Sequence, residues 1–360
     1  MPRESPTIAS GAGRRSARSA PPDVDLTRRL ARAIAGRRED FGDVAPDALW
    51  AALADNAVVV LLAARHREGS ITGLDEALGE RLALNEKAFA LLDADHRRQA
   101  ARLLDRLSAA GLDALLIKGL AVALRYYPDS RLRQRVDIDV YLRRDQESEL
   151  RRVLEDAGYA LAWHDRNPVT SHQFTATAPP PTMRPVVFDL HRRISNRAAF
   201  RDLMPFETLW ASRQPLAGLH PAAFAPAAPY LLIHACLHRL AHGRGRETGR
   251  LAWLYDLHRL LEAMPTSERA QLADAATDME VGTICAAALA ECAALFDTDV
   301  PEDLLEQLGR RAREEPSAKL LDAGRLAWLW SDFSGQDGAT DKLGFLRETL
   351  LNQVRRGARR

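Results

Sequence analysis

Three aspartates set in apolar strand-like runs are the residues of this chain best placed to do chemistry. Asp137 and Asp139 lie in Val136-Asp137-Ile138-Asp139-Val140, and Asp189 lies in Phe188-Asp189-Leu190-His191. Successive side chains of a strand point to opposite faces, so Asp137 and Asp139 share a face at a separation of roughly 7 Å. Val136, Ile138 and Val140 then turn toward the core. Two like charges side by side repel, and both lose hydration when a site closes over them. A divalent cation between them offsets both costs. Mg²⁺ (or Mn²⁺) takes carboxylate oxygens, and Mg²⁺ commonly uses one or two of them together with substrate phosphates. The competing reading of the same pattern is an edge strand with one face in water. By the same alternation Asp189 and His191 share a face, and a neighbouring strand would bring Asp189 against the pair.

The cations nearby have a matching logic. Lys118-Gly119 stands between the apolar run Asp113–Ile117 and the helix-like Leu120–Leu124, so it is a strand–turn–helix junction. Glycine admits close backbone approach, and the first N–H groups of the following helix face an anion. A lysine ammonium adds a mobile point charge suited to phosphate. Lysine is scarce here, at positions 87, 118, 319 and 342 only, so one at this turn is not an arbitrary surface cation. Arg131, Arg133 and Arg135 precede the aspartate strand. They either line a solvated loop or clamp a polyphosphate in bidentate fashion.

These residues need elements to position them. Residues 1–22 hold almost no large apolar side chain and are expected to be disordered. From 23 to 111 the spacing is helical, as in Leu26, Leu30, Ala33 and Ile34, and a helix from His96 to Ala110 ends at Gly111. His66 and His96 sit among charges and are expected to face solvent. Residues 112–200 read as strands at Asp113–Ile117, Val136–Leu142, Tyr159–Trp163, Ser171–Thr177 and Pro185–Ile194, with a helix from Arg144 to Ala157 stopped by Gly158. The fold class is therefore α+β, a small mixed sheet with flanking helices. Residues 201–354 are helical, and 355–360 form a frayed basic tail. The first helix of that half carries His234, His238 and His242 on one face. Position 235 is Ala, so the zinc-protease pattern is missing. The stripe is a metal site, a substrate-facing surface or structural. Asp256 on the next helix is a candidate partner for one of these histidines or for an arginine.

Composition bounds the rest. With 360 residues, 46% hydrophobic and 28% charged, the chain has the make-up of an ordinary globular protein. A net charge of +1 excludes a nucleic-acid footprint over the whole surface. A local patch at Arg131–Arg135, Arg143-Arg144 and Arg192-Arg193 keeps RNA as a less favoured partner. Cys236, Cys285 and Cys292 have no zinc spacing and are expected to be buried thiols in a reducing compartment. There is no apolar run near the ~20 residues of a membrane span, and no signal-peptide core, so the expectation is cytoplasmic with no membrane contact. Oligomeric state is not fixed by sequence.

Taken together, Lys118-Gly119, Arg133 four residues before the first aspartate, Asp137-Ile138-Asp139 and then Phe188-Asp189-Leu190-His191 resemble the nucleotidyltransferase superfamily built on the polymerase-beta-like palm. Within it the chain looks most like a bacterial uncharacterised group with a Lys-Gly turn, and it is similar to toxin-type nucleotidyltransferases. The similarity covers roughly Leu112 to Ile194. It implies transfer of an NMP group from an NTP to a hydroxyl acceptor, with pyrophosphate released. Asp137, Asp139 and Asp189 would be catalytic and hold Mg²⁺ (or Mn²⁺). Lys118, Gly119 and Arg133 would bind the nucleotide, and His191, His234 and His238 would face substrate. The acceptor would be a small molecule or a peptide or protein hydroxyl, or, in the toxin-type alternative, a tRNA end. Leu120 follows Gly119 where the broader superfamily has a Gly-Ser or Gly-Gly turn, so Lys118 would take over part of the phosphate binding. Two rivals remain: a glycosyltransferase, in which Asp-x-Asp holds a metal-bound nucleotide sugar, and a non-catalytic nucleotide-binding module of the same fold.

Overall fold

The computed structural model describes residues 24–163, 172–242 and 250–357. The tail expected at 1–22 lies outside them, as does Ser171 at the start of one expected strand. Ahead of the sheet come α1 (Val24–Ile34), β1 (Glu39–Asp40), α2 (Pro46–Asp55), α3 (Val59–Arg67), β2 (Ile71–Thr72) and α4 (Glu76–Ala109), with β1 and β2 forming a short parallel pair. α4 runs for 34 residues. Asp75 caps it by accepting from the Leu78 N–H at 2.7 Å. Gly111 closes its far end at φ +68°, a left-handed conformation that glycine adopts without a Cβ clash.

The central sheet follows: β3 (Ala114–Ile117), α5 (Lys118–Tyr126), β4 (Asp137–Leu142), α6 (Glu147–Asp156), β5 (Ala160–Trp163), β6 (Gln173–Thr177) and β7 (Val187–His191). Its strand order is β3-β4-β7-β6-β5, with β4 and β7 parallel and the other neighbours antiparallel. The α+β reading and the mixed sheet are therefore correct. Alternation splits the central pair cleanly. Ile138, Val140, Phe188 and Leu190 are fully buried on one face, and the odd-numbered aspartates lie on the other. Val136 is a correction. Pairing begins at Asp137, opposite Val187, so Val136 precedes the ladder and is 57% exposed instead of entering the core.

The chain then turns helical through α7 (Phe206–Ala211), the small hairpin β8 (Gln214–Pro215) and β9 (Phe224–Ala225), α8 (Ala228–His242), α9 (Leu251–Ala263), α10 (Thr266–Asp278), α11 (Gly282–Phe296), α12 (Glu302–Gly309), α13 (Arg325–Ser334) and α14 (Ala339–Gly357). α8 and α9 both pack against α5, which sets them beside the sheet's aspartate strands. α13 is tied to the segment after β7 by Arg197–Asp332 at 2.7 Å and by Arg201 donating to the Gly335 carbonyl at 2.9 Å. α14 continues to Gly357, past the expected start of a frayed tail at 355. The three cysteines are free and buried. Among the described residues no helix is long and apolar enough to cross a membrane.

The loop feeding β4 is fastened from several sides. Gln134 accepts from the Val60 N–H of α3 at 3.2 Å. Asp93 of α4 accepts from the Ser130 hydroxyl at 2.9 Å and pairs with Arg135, both side chains being buried. His96, expected in solvent, is buried beside this pair, and burial together with Arg135 pushes its pKa down to about 4. The charges around it mark a buried clamp, not a wet surface. Removing one partner of such a pair leaves the other charge buried and alone. Asp93→Ala should therefore cost about 3–5 kcal/mol in a denaturant titration, and a loss below about 1 kcal/mol would show that Asp93 does not hold the loop.

Candidate active site

Lys118 sits where β3 passes into α5, at φ +53°. A non-glycine residue in the left-handed region costs on the order of 1–3 kcal/mol and persists only where its surroundings enforce it. Gly119 itself is not left-handed, and a Cβ there would meet only Arg135 at an ordinary 3.6 Å. The left-handed residue of this turn is thus the lysine and not the glycine. It directs the ammonium onto the sheet face.

There the strands bring four groups together. Asp139 stands directly opposite Asp189 in the β4–β7 register, and His191 follows on the same face. Lys118 Nζ donates to Asp139 Oδ1 at 2.7 Å, His191 Nε2 lies 2.9 Å from the same oxygen, and Nζ and Nε2 are 3.4 Å apart. Burial alone would disfavour an ionised Asp139, but Lys118 and His191 outweigh it and hold its carboxyl well below the usual carboxylate range. Burial and the nearby ammonium push His191 down, so the imidazole is neutral. Asp137 is raised to about 7 by burial first, then by the charges of Asp139 and Asp189. One sheet face thus carries an obligate carboxylate and a neighbour poised near neutrality.

The other sequence candidates take different places. Arg133 is buried, with Nε and Nη2 each 2.7 Å from Asp256 of α9, whose Oδ1 also accepts from the Tyr127 hydroxyl at 2.8 Å. It feels Asp137, but its fork is filled by Asp256 and not open toward a phosphate. The suggested partner for Asp256 is thereby identified as Arg133. Arg131 bonds Asp129 and Arg135 bonds Asp93. His234 is buried on α8 and is pushed down to about 3 by burial and by Lys118, with His191 also contributing. His238 is lowered by the same two leading causes and packs edge-on against Trp253. Both histidines therefore stand close enough to the Lys118 cluster to share its field. Sequence reading missed Asp93. Its signal was positional: Phe89, Asp93, His96, Ala100, Leu103 and Leu107 repeat at helical spacing and are all buried, so the two polar residues occupy core positions.

One ligand atom each from Asp139, Asp189 and His191 can be chosen so that all lie within 4.8 Å of one another. Two carboxylates and an imidazole are a chemically suitable donor set for a divalent cation, so these residues fit the metal that the sequence pattern implies.

A mixed sheet carrying opposed aspartates on parallel strands, a lysine at the preceding strand–helix turn and a helical wall beside it defines a nucleotidyltransferase palm. A family model described as an uncharacterised nucleotidyltransferase matches residues 42–297, and the chain belongs to that family. No curated protein matches the chain.

Two outcomes follow from the electrostatics. Lys118→Met leaves the carboxylate cluster without its ammonium. Because Lys118 is partly exposed, the loss should be about 1–3 kcal/mol at pH 7.5. The depressed Asp139 contributes stability above its unfolded pKa only while its cation is present, so in the variant the penalty should shrink as pH falls toward 5 and the carboxylates protonate. Urea unfolding at the two pH values checks this, and an equal loss at both contradicts it. Separately, a proton on Asp137 competes with a divalent cation. Calorimetry should find cation affinity rising about tenfold between pH 6 and 8, and a flat profile would place Asp137 outside the site.

Proposed function

We propose that this chain transfers an NMP group from an NTP to a hydroxyl of a small molecule or of a peptide or protein, releasing pyrophosphate, in a reaction that depends on Mg²⁺ or Mn²⁺. The observation that carries the reading is the direct opposition of Asp139 and Asp189, with Lys118 bonded to the first of them. Asp139 and Asp189, with Asp137 beside them, would hold the divalent cation, which would supply charge neutralisation on the triphosphate and favour ionisation of the acceptor hydroxyl. The chain's own groups do the rest. Asp189 takes the acceptor proton as the new oxygen–Pα bond forms and the Pα–oxygen bond to the β-phosphate breaks. Lys118 and the free N–H groups at the start of α5, including that of Gly119, steady the departing pyrophosphate. His234 and His238 on α8 border the acceptor side.

Arg133 contributes by position, since its fork is held by Asp256. The pairing of Arg131, Arg133 and Arg135 with Asp129, Asp256 and Asp93 supports a small or protein acceptor over RNA, because it leaves that loop little free positive charge. Free buried thiols suit a reducing, cytoplasmic setting.

Purified protein incubated with each α-³²P-NTP, Mg²⁺ and a size-fractionated cell extract tests the reading. Label should enter a small or protein fraction with wild type. Asp189→Asn should reduce it at least about a hundredfold with unchanged circular dichroism. Undiminished labelling by that variant would remove the carboxylates from the reaction.

A further inference from the structure

The contacts around Asp139 describe a chelate with nitrogen in it. Lys118 Nζ donates to Asp139 Oδ1 at 2.7 Å, and His191 Nε2 stands 2.9 Å from the same oxygen, at donating distance. With its proton on Nδ1 instead, the neutral imidazole presents a lone pair at Nε2 2.9 Å from Oδ1, and a cation shared by the two takes the place of the hydrogen bond. Two donors bound cis to one metal ion, each at about 2.1 Å and roughly at right angles, stand about 3.0 Å apart. The Asp139–His191 spacing meets that bite without backbone movement. Both side chains are almost wholly buried, and strand pairing fixes Asp189 opposite Asp139 and two residues before His191.

We infer that His191 Nε2 joins Asp139 and Asp189 as a ligand of a divalent transition-metal cation, that the site prefers Mn²⁺ to Mg²⁺, and that the Lys118 ammonium stands in for this cation until it binds. The inference rests on the nucleotidyl-transfer reading for its role, though the site itself is read from geometry alone. An all-oxygen site suits Mg²⁺, which gains little from an imidazole. First-row transition ions bind nitrogen readily, so one histidine in the set tilts selection toward them. Lys118 explains how such a site stays intact when empty of metal. A dication arriving at Asp139 displaces the ammonium, which is then free for the phosphates that accompany it.

The test uses the full chain and Mn²⁺ without nucleotide. Pulsed electron paramagnetic resonance of bound Mn²⁺ should show coupling to one ¹⁴N nucleus in wild type and none in His191→Gln. Competition should require about tenfold more Mg²⁺ than Mn²⁺ to half-fill the wild-type site, and Lys118→Met should bind Mn²⁺ several-fold more tightly than wild type. Bound Mn²⁺ without nitrogen coupling in wild type overturns the inference, even if His191→Gln fails to fold. Coupling that persists in a folded His191→Gln, equal affinity for the two metals, or weaker Mn²⁺ binding by Lys118→Met also overturns it. Failure here is separable from failure of the activity. Nitrogen coupling without NMP transfer sinks only the proposed reaction, whereas transfer without nitrogen coupling sinks only this site.

Discussion

A buried carboxylate stays ionised only beside a cation, and in this molecule that carboxylate is Asp139. Lys118 and His191 both address its Oδ1, and Asp189 faces it across the parallel strand pair. The arrangement concentrates negative charge on one sheet face and supplies one mobile positive charge to hold it. Such a balance suits a site that exchanges one cation for another. It also accounts for the strained backbone at Lys118, since a relaxed turn would not direct the ammonium onto the sheet.

Much of the surrounding chain keeps this face in place. The loop before β4 cannot relax, because α3 holds Gln134, α4 holds Ser130 and Arg135, and α9 holds Arg133. Its arginines serve as fasteners more than as an open phosphate clamp. Arg135 locks to α4 and Arg133 locks to α9, so the N-terminal helices and the C-terminal helices meet through the segment that delivers the aspartates. α8 adds a wall with one buried imidazole, His234, and one half-buried, His238, both kept neutral by desolvation and by the same ammonium. The face that carries the aspartates is thus a shared product of all three parts of the chain.

The sequence made the sheet face legible because period-two alternation in short apolar runs is hard to mistake. Ile138, Val140, Phe188 and Leu190 mark the core side, and the aspartates fall on the other. The Lys-Gly junction was legible for the same reason, as an abrupt change from strand to helix. What stayed hidden depends on distance along the chain. Arg133 finds Asp256 across 123 residues and Arg135 finds Asp93 across 42, and no local pattern ties either arginine to its carboxylate. Ion pairs of that range are settled by packing, so a charge-rich stretch around His96 passed for a wet surface. Val136 failed for a smaller reason: alternation gives the face of a residue but not whether the ladder has begun.

The central claim is that the Asp139–Asp189 face receives a metal-bound triphosphate and gives up its hold on Lys118 in doing so. A crystal structure with Mn²⁺ and an α,β-methylene NTP analogue, phased for anomalous scattering, tests it most directly. The account predicts an anomalous peak bounded by Asp139, Asp189 and His191, with the triphosphate against it and Lys118 turned onto the phosphates. A triphosphate bound elsewhere, with Lys118 still on Asp139 and no peak between the strands, would contradict it.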